Sequence, residues 1–218
     1  MTVATNLPTF ESQLDLIAAA EQGDGWLSDC IDSGRYLSPN RQLVDALAEF
    51  LMSLGQGAIV ELCAGRGDLA EALVETGLAI AATDADPPAG SPVVRADARE
   101  ALKRYRPTVV LGSFVPVDAG VDRLAMQFPS VRHYVVLNAR IGGLLGSNWL
   151  WQTTGWKADS LDQISRWMLT RHDVWLGTPR RPILQHGEAW HFARRTDPAA
   201  QHSTSGQRRH QVPSTFCR

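Results

Sequence analysis

Apolar residues recur at two periods along the 218-residue chain, and the alternation between those periods predicts its elements. Between residues 11 and 22, Leu14, Ile17 and Ala18 are spaced for one side of a helix, which Gly23 and Gly25 end. A second helical pattern puts Leu43, Ala46, Leu47, Phe50 and Leu51 on one face. Ser38 followed by Pro39 predicts its start, a hydroxyl cap ahead of a residue suited to the first turn, and Gly55 marks its end. Short apolar runs follow at residues 58–63, 78–83, 93–95, 108–111 and 133–137, and read as strands. Residues 68–76 form a helix between the first two. Such alternation predicts an α/β fold with a doubly wound, Rossmann-like, mostly parallel sheet. Residues 173–176 and 189–193 are strand-like and separated by a loop with Pro and Gly, the pattern of an antiparallel edge hairpin. One domain over residues 1–197 is implied, with N-terminal helices in 1–55, a ligand-binding core in 56–140 and further elements in 141–197. Residues 198–218 are polar and aperiodic, which predicts a disordered tail.

Composition narrows the class. The chain is 44% hydrophobic and 20% charged, a globular profile that excludes disordered, collagen-like and coiled-coil chains. No apolar run approaches the roughly 20 residues of a membrane span, and the first residues lack the basic and apolar regions of a signal peptide. Cys30, Cys63 and Cys217 fit neither a disulfide framework nor a zinc spacing. A soluble, cytoplasmic protein with free thiols, no metal and no membrane partner is the expectation. The net charge of −2 hides a split: 12 basic against 20 acidic side chains through Gln163, then 9 arginines against 3 acids. Coding bias in a GC-rich bacterial genome accounts for arginine over lysine, and an anion-binding C-terminal part is the sharper reading.

The most informative segment is Ile59-Val60-Glu61-Leu62-Cys63-Ala64-Gly65-Arg66-Gly67-Asp68, a strand running into a glycine turn and then a helix. Gly65 and Gly67 let the backbone approach a ligand, and amides at the helix start face it. Glu61 lies near the end of an apolar strand, where an unpaired carboxylate is costly. Asp84 ends the second strand, where a carboxylate can accept both ribose hydroxyls, and Asp97 follows the third.

Glu61-x-x-x-Gly65-x-Gly67, then Asp84, then Asp97, then Val109-Val110-Leu111-Gly112-Ser113-Phe114 resembles the successive motifs of class I S-adenosylmethionine-dependent methyltransferases. The resemblance covers about residues 35 to 140. Cys63 departs from it, standing where many members carry a first glycine. The resemblance implies S-adenosyl-L-methionine as cofactor, with Glu61 and the backbone of Ala64, Gly65 and Gly67 along its methionine portion. It implies Asp84 with Ala85 at the ribose and Asp97 with Ala98 at the adenine. The same resemblance implies Ser113 and Phe114 near the sulfonium, with Tyr36 closing over the cofactor. Methyl transfer is the implied activity; the acidic body and the absence of an Asn/Asp-Pro-Pro-Tyr/Phe motif make a small molecule the first choice of acceptor, and a protein or RNA reached through the arginine-rich end the second.

Two alternatives stay open. Gly65-x-Gly67-x-x-Ala70 also satisfies the dinucleotide fingerprint of a nicotinamide-dependent oxidoreductase, although Glu61 interrupts the first strand and no Tyr-x-x-x-Lys pair is present. A non-catalytic nucleotide-binding protein on the same fold is the other. Acceptor-side candidates are Asn138, Arg140, Trp149 and Trp151, since ligands of open α/β sheets lie beyond the carboxyl strand ends. Six of the seven tryptophans fall between residues 149 and 190, either as a small core or as an aromatic wall. Asp118 is the candidate general base, and equally a helix cap.

Overall fold

The computed structural model describes residues 7–19, 30–116, 120–139, 148–174 and 181–195. In chain order the elements are α1 (Phe10–Ala19), α2 (Arg41–Ser53), β1 (Ile59–Leu62), α3 (Asp68–Glu75), β2 (Ile80–Asp84), β3 (Val94–Arg95), α4 (Ala98–Tyr105) and β4 (Val109–Ser113). There follow α5 (Val121–Gln127), β5 (His133–Ala139), α6 (Asn148–Gln152), β6 (Trp156–Ser160), α7 (Asp162–Ser165), β7 (Leu169–Val174) and β8 (Arg181–Arg194). The sheet order is β3-β2-β1-β4-β5-β8-β6, with β7 pairing the other half of β8. Strands β1 to β5 are mutually parallel where they pair, and β8 runs antiparallel to β5, β6 and β7.

The parallel strands are apolar because both sheet faces are covered. Ile59, Val109, Leu111, Val135 and Leu137 turn one way, into a core with α2, α3 and α7. Val60, Leu62, Val110, Tyr134, Val136 and Phe192 turn the other, toward α4, α5 and α6. Side-chain alternation along each strand therefore supplies two separate cores from one sheet.

Two helix expectations are corrected. The inward residues of α1 are Phe10 and Gln13, while Leu14 and Leu16 are exposed. A polar anchor replaces the apolar stripe: Gln13 Nε2 donates to Ser38 Oγ (3.1 Å) and Asn40 Nδ2 donates to Gln13 Oε1 (3.0 Å). The cap of α2 is Asn40, whose Oδ1 accepts from the Leu43 amide at 2.9 Å, two residues beyond Ser38. Asn40 is fully buried and also donates to the Trp167 carbonyl, so one side chain fastens α1, α2 and the segment before β7. A serine is too short to serve all three partners.

The reversed strand is longer than its sequence pattern. Strand β8 pairs β7 along residues 181–186 and then β5 along 187–193. The change of partner falls at Gly187, where a Cβ would come within 2.6 Å of Met168 Cε and 3.0 Å of the Asn138 carbonyl oxygen. Strand β6, beyond β8, has no counterpart in the sequence reading, because Trp156-Lys157-Ala158-Asp159-Ser160 is exposed along most of its length and lacks an apolar run. The 198–218 tail lies outside the described residues.

Candidate functional site

The carboxyl ends of β1, β2 and β4 open into a cleft of about 220 Å³. Its lining brings together seven of the sequence-expected cofactor residues: Tyr36, Glu61, Ala64, Gly65, Asp84, Ser113 and Phe114. Ala85, Asp97 and Ala98 stand outside that lining, as does Gly67.

Acidic groups organise the floor. Asp84 Oδ2 accepts from the Gly65 amide (2.9 Å) and Oδ1 from the Asp86 amide (2.8 Å), so this carboxylate clasps the glycine turn itself. Glu61 points to the same side as Ile59, toward α3, and is 2% exposed. It receives a hydrogen bond from the Ala70 amide, in the first turn of α3. That bond matters because the residue capping α3 is Gly67, which has no side chain to cap with. The other carboxylate oxygen, Oε2, is buried with no partner. Burial pushes the Glu61 carboxyl up to about 8, with Asp68 and Asp84 adding repulsion and the Ala70 bond opposing.

Asp68 gathers the arginines at the cleft mouth, Arg35 at 2.6 Å and Arg66 at 3.8 Å. These three residues line the cleft and were not singled out from sequence. Arg66 and Asp68 lie inside the glycine motif, so motif membership was the available signal.

The two glycines differ in role. At Gly65, with φ of +56°, a built Cβ meets nothing within 4 Å, so the turn is open at that point. At Gly67, with φ of +84°, it meets Val93 Cγ2 at 2.6 Å. Gly67 thus admits the segment before β3. Amides of the turn are also largely engaged internally, Ala64 with Thr83, Gly65 with Asp84 and Gly67 with Ala64.

Two non-glycine residues beside the cleft have left-handed backbone: Cys63 (φ +58°) after β1 and Phe114 (φ +54°) after β4. This conformation costs about 1–2 kcal/mol for an L residue. Cys63 therefore stores strain at the turn. Burial, reinforced by Asp84, Asp122 and Glu61, pushes the Cys63 thiol up to about 11, which keeps it protonated.

Phe114 stacks on Tyr36 with centroids 5.4 Å apart and an interplanar angle of 20°. Tyr36 is held from β7: the Arg171 amide donates to the Tyr36 carbonyl (2.8 Å), and the Arg171 guanidinium lies 4.4 Å from the Tyr36 ring centroid. Arg171 itself is buried and donates to the Cys30 carbonyl. Sequence reading placed it only in an arginine-rich stretch.

Asp97 caps α4, its Oδ1 accepting from the Glu100 amide (2.8 Å) while Glu100 accepts from the Asp97 amide. Ala98 is the first residue of that helix. Asn138 sits in β5 opposite Glu188, one residue beyond Leu137, which pairs with Ser113. Trp149 packs on the second core with Arg123 over its ring. Trp151 is 43% exposed and stands edge-on to Trp190 at 4.9 Å. Asp118 and Arg140 lie outside the described residues. Among the described residues no group of His, Cys, Asp and Glu is arranged to hold a metal ion, and no helix is long and apolar enough to cross a membrane.

No family model matches the chain, and no curated protein matches it significantly. Solved structures do. One, described for the conversion of a disulfide bond into a thioacetal group during echinomycin biosynthesis, is similar at 16% identity over 77% of this chain and 88% of that one, with a TM-score of 0.48. Precorrin-6y C5,15-methyltransferase from Geobacter metallireducens GS-15 gives 11% identity over 72% and 89%, at 0.47. Magnesium protoporphyrin IX methyltransferase from Synechocystis PCC 6803 gives 14% over 71% and 79%, at 0.45. The likeness is one of fold: an α/β sheet of five parallel strands continued by the reversed β8 and then β6.

Proposed function

We propose that the chain is an S-adenosylmethionine-dependent methyltransferase acting on a small molecule. The observation that carries this reading is Glu61 Oε2, buried beside the glycine turn with no hydrogen-bond partner. Glu61 faces the start of α3, the position that a dinucleotide's pyrophosphate occupies in nicotinamide enzymes. A pyrophosphate offers that oxygen no donor, whereas an ammonium does.

In this reading Glu61 Oε2 accepts from the cofactor's ammonium. Asp84 keeps lone pairs for the ribose hydroxyls beyond the two amides it holds, with Ala85 beside it. Asp97 caps α4 through Oδ1, which leaves Oδ2 for the adenine amino group next to Ala98. The cofactor supplies a methyl group on a sulfonium. The chain supplies position and water exclusion through the Tyr36–Phe114 stack and Ser113, with the acceptor beyond β5 near Asn138, Arg140, Trp149 and Trp151. Asp118 retains its place as candidate base.

Calorimetric titration tests the reading. S-adenosylhomocysteine is expected to bind in the micromolar range and NAD negligibly. Asp84→Ala weakens the former by about 1.5–3 kcal/mol, roughly 10- to 150-fold. Tight NAD binding, or an Asp84→Ala variant of unchanged affinity, overturns it.

A further inference from the structure

Among the described residues, Glu61 Oε2 is the one carboxylate oxygen that is both fully buried and without a hydrogen-bond partner. Its surroundings offer an anion little. From α3 come the Ala70 amide, which serves the other oxygen, and the Asp68 carboxylate; from β2 comes Asp84. The register neighbours of Glu61 on β2 and β4 are Ala82 and Leu111, both apolar. Cys63, at the end of β1, stays a neutral thiol. The two arginines lining the cleft, Arg35 and Arg66, are both drawn to Asp68. A buried carboxylate facing two other carboxylates and no cation is favoured as the neutral acid.

We propose that Glu61 is a proton-exchange site: it holds a proton until the cofactor arrives, and the cofactor's α-ammonium displaces that proton as it seats against Oε2. The inference rests on the S-adenosylmethionine reading above. No covalent bond other than the carboxyl O–H breaks. The proton leaves to solvent, and an ammonium N–H donates to the carboxylate oxygen exposed by its departure. The buried site thus exchanges one positive charge for another and is never left as an unpaired anion.

Three consequences follow from this exchange. Below the titration of Glu61, cofactor affinity weakens about tenfold for each unit that pH falls, because one proton must be expelled per ligand bound. Above about pH 8 a ligand α-amino group begins to lose its own proton, so affinity peaks near that pH and declines on either side. Finally, a nucleoside thioether lacking the ammonium gives no such exchange, whatever its fit to the ribose and adenine positions.

The test is calorimetry of S-adenosylhomocysteine at pH 6.5 in phosphate and in imidazole. The difference in observed enthalpy between buffers of unlike ionisation enthalpy counts protons released. The expected count is about one for the natural chain and about zero for 5′-methylthioadenosine, with a tenfold weaker Kd for S-adenosylhomocysteine at pH 6 than at pH 7. Glu61→Gln keeps an acceptor for Ala70 and is expected to abolish the release. Binding of S-adenosylhomocysteine by the natural chain with no proton released, or with a flat pH profile, overturns this proposal alone. Absence of binding at every pH by the folded protein overturns it together with the methyltransferase reading.

Discussion

The two wings of the sheet are held together by different means. At the carboxyl ends of β1, β2 and β4 the arrangement is polar and strained: Asp84 holds the Gly65 amide, Glu61 holds that of Ala70, and Cys63 and Phe114 take left-handed backbone. Around β5, β8 and β6, on the sheet face and at the amino end of β5, it is aromatic. Trp156 is buried with the Arg194 guanidinium 4.8 Å from its ring centroid, and Trp151 meets both Trp190 and Phe192 edge-on. Arg194 further donates to the carbonyls of Met126, Phe128 and Val131, and Arg171 to that of Cys30. Some of the C-terminal positive charge is therefore spent on backbone carbonyls. The lesson is a division of labour. Left-handed strain and the unpartnered Glu61 oxygen lie at the carboxyl ends of β1 and β4, and aromatic packing lies around β8.

If that division holds, substitutions in the second wing strike stability alone, and some in the first strike binding as well. The largest loss is expected for Gly187→Val. Its side chain meets Met168, Thr170 and the Asn138 carbonyl at the point where β8 changes partner, costing about 3 kcal/mol or more in denaturant unfolding. A stability change within about 0.5 kcal/mol refutes the claim that this crossover needs a glycine.

The two glycines of the turn sharpen the comparison inside the first wing. Gly67→Ala combines left-handed strain with the Val93 clash and is expected to destabilise by about 2–4 kcal/mol. Gly65→Ala carries the strain alone, about 1–2 kcal/mol, but places a methyl in the open part of the cleft and weakens S-adenosylhomocysteine binding. Equal stability losses in the two variants contradict the separate roles assigned to them.

Titration distinguishes the wings by sign. The folded-state value of Glu61 is raised from 4.5 to about 8, so its contribution is present at low pH and is lost as pH rises across that window. Glu61→Gln is expected to flatten the fall in melting temperature between pH 5 and pH 8. His191 is pushed down to about 4 by burial and by His133, its neighbour at 3.0 Å. Its contribution is present above 6.5 and lost as pH falls toward 4, so His191→Asn flattens the acid limb. Melting curves of both variants across pH 4–9 check the two windows, and an unaltered slope in either removes that assignment. The smallest effect is expected for Tyr36→Phe, which keeps the Phe114 stack and the Arg171 contact and leaves melting temperature within a couple of degrees.

The first wing was largely legible in the sequence. Glu61, Gly65, Asp84 and Phe114 are close to one another along short strands, and parallel pairing brings each strand end to the same edge. What eluded the sequence depended on distant partners. The cap of α2 moved from Ser38 to Asn40 because Gln13 and Trp167 converge on the asparagine. The packing role of Gly67 against Val93 has no local signal. Arg171 reaches Tyr36 across more than 130 residues, and β6 carries exposed polar residues that break any apolar pattern. Periodicity reads a strand by what it buries, and an edge strand buries little.

The most direct test is a crystal structure of the protein with S-adenosylhomocysteine. The account predicts the ligand's ammonium within hydrogen-bond distance of Glu61 Oε2, its ribose hydroxyls on Asp84, and its sulfur beside the Tyr36–Phe114 stack. A ligand bound elsewhere, or one in this cleft with its ammonium turned to solvent and Glu61 Oε2 still unpartnered, contradicts it.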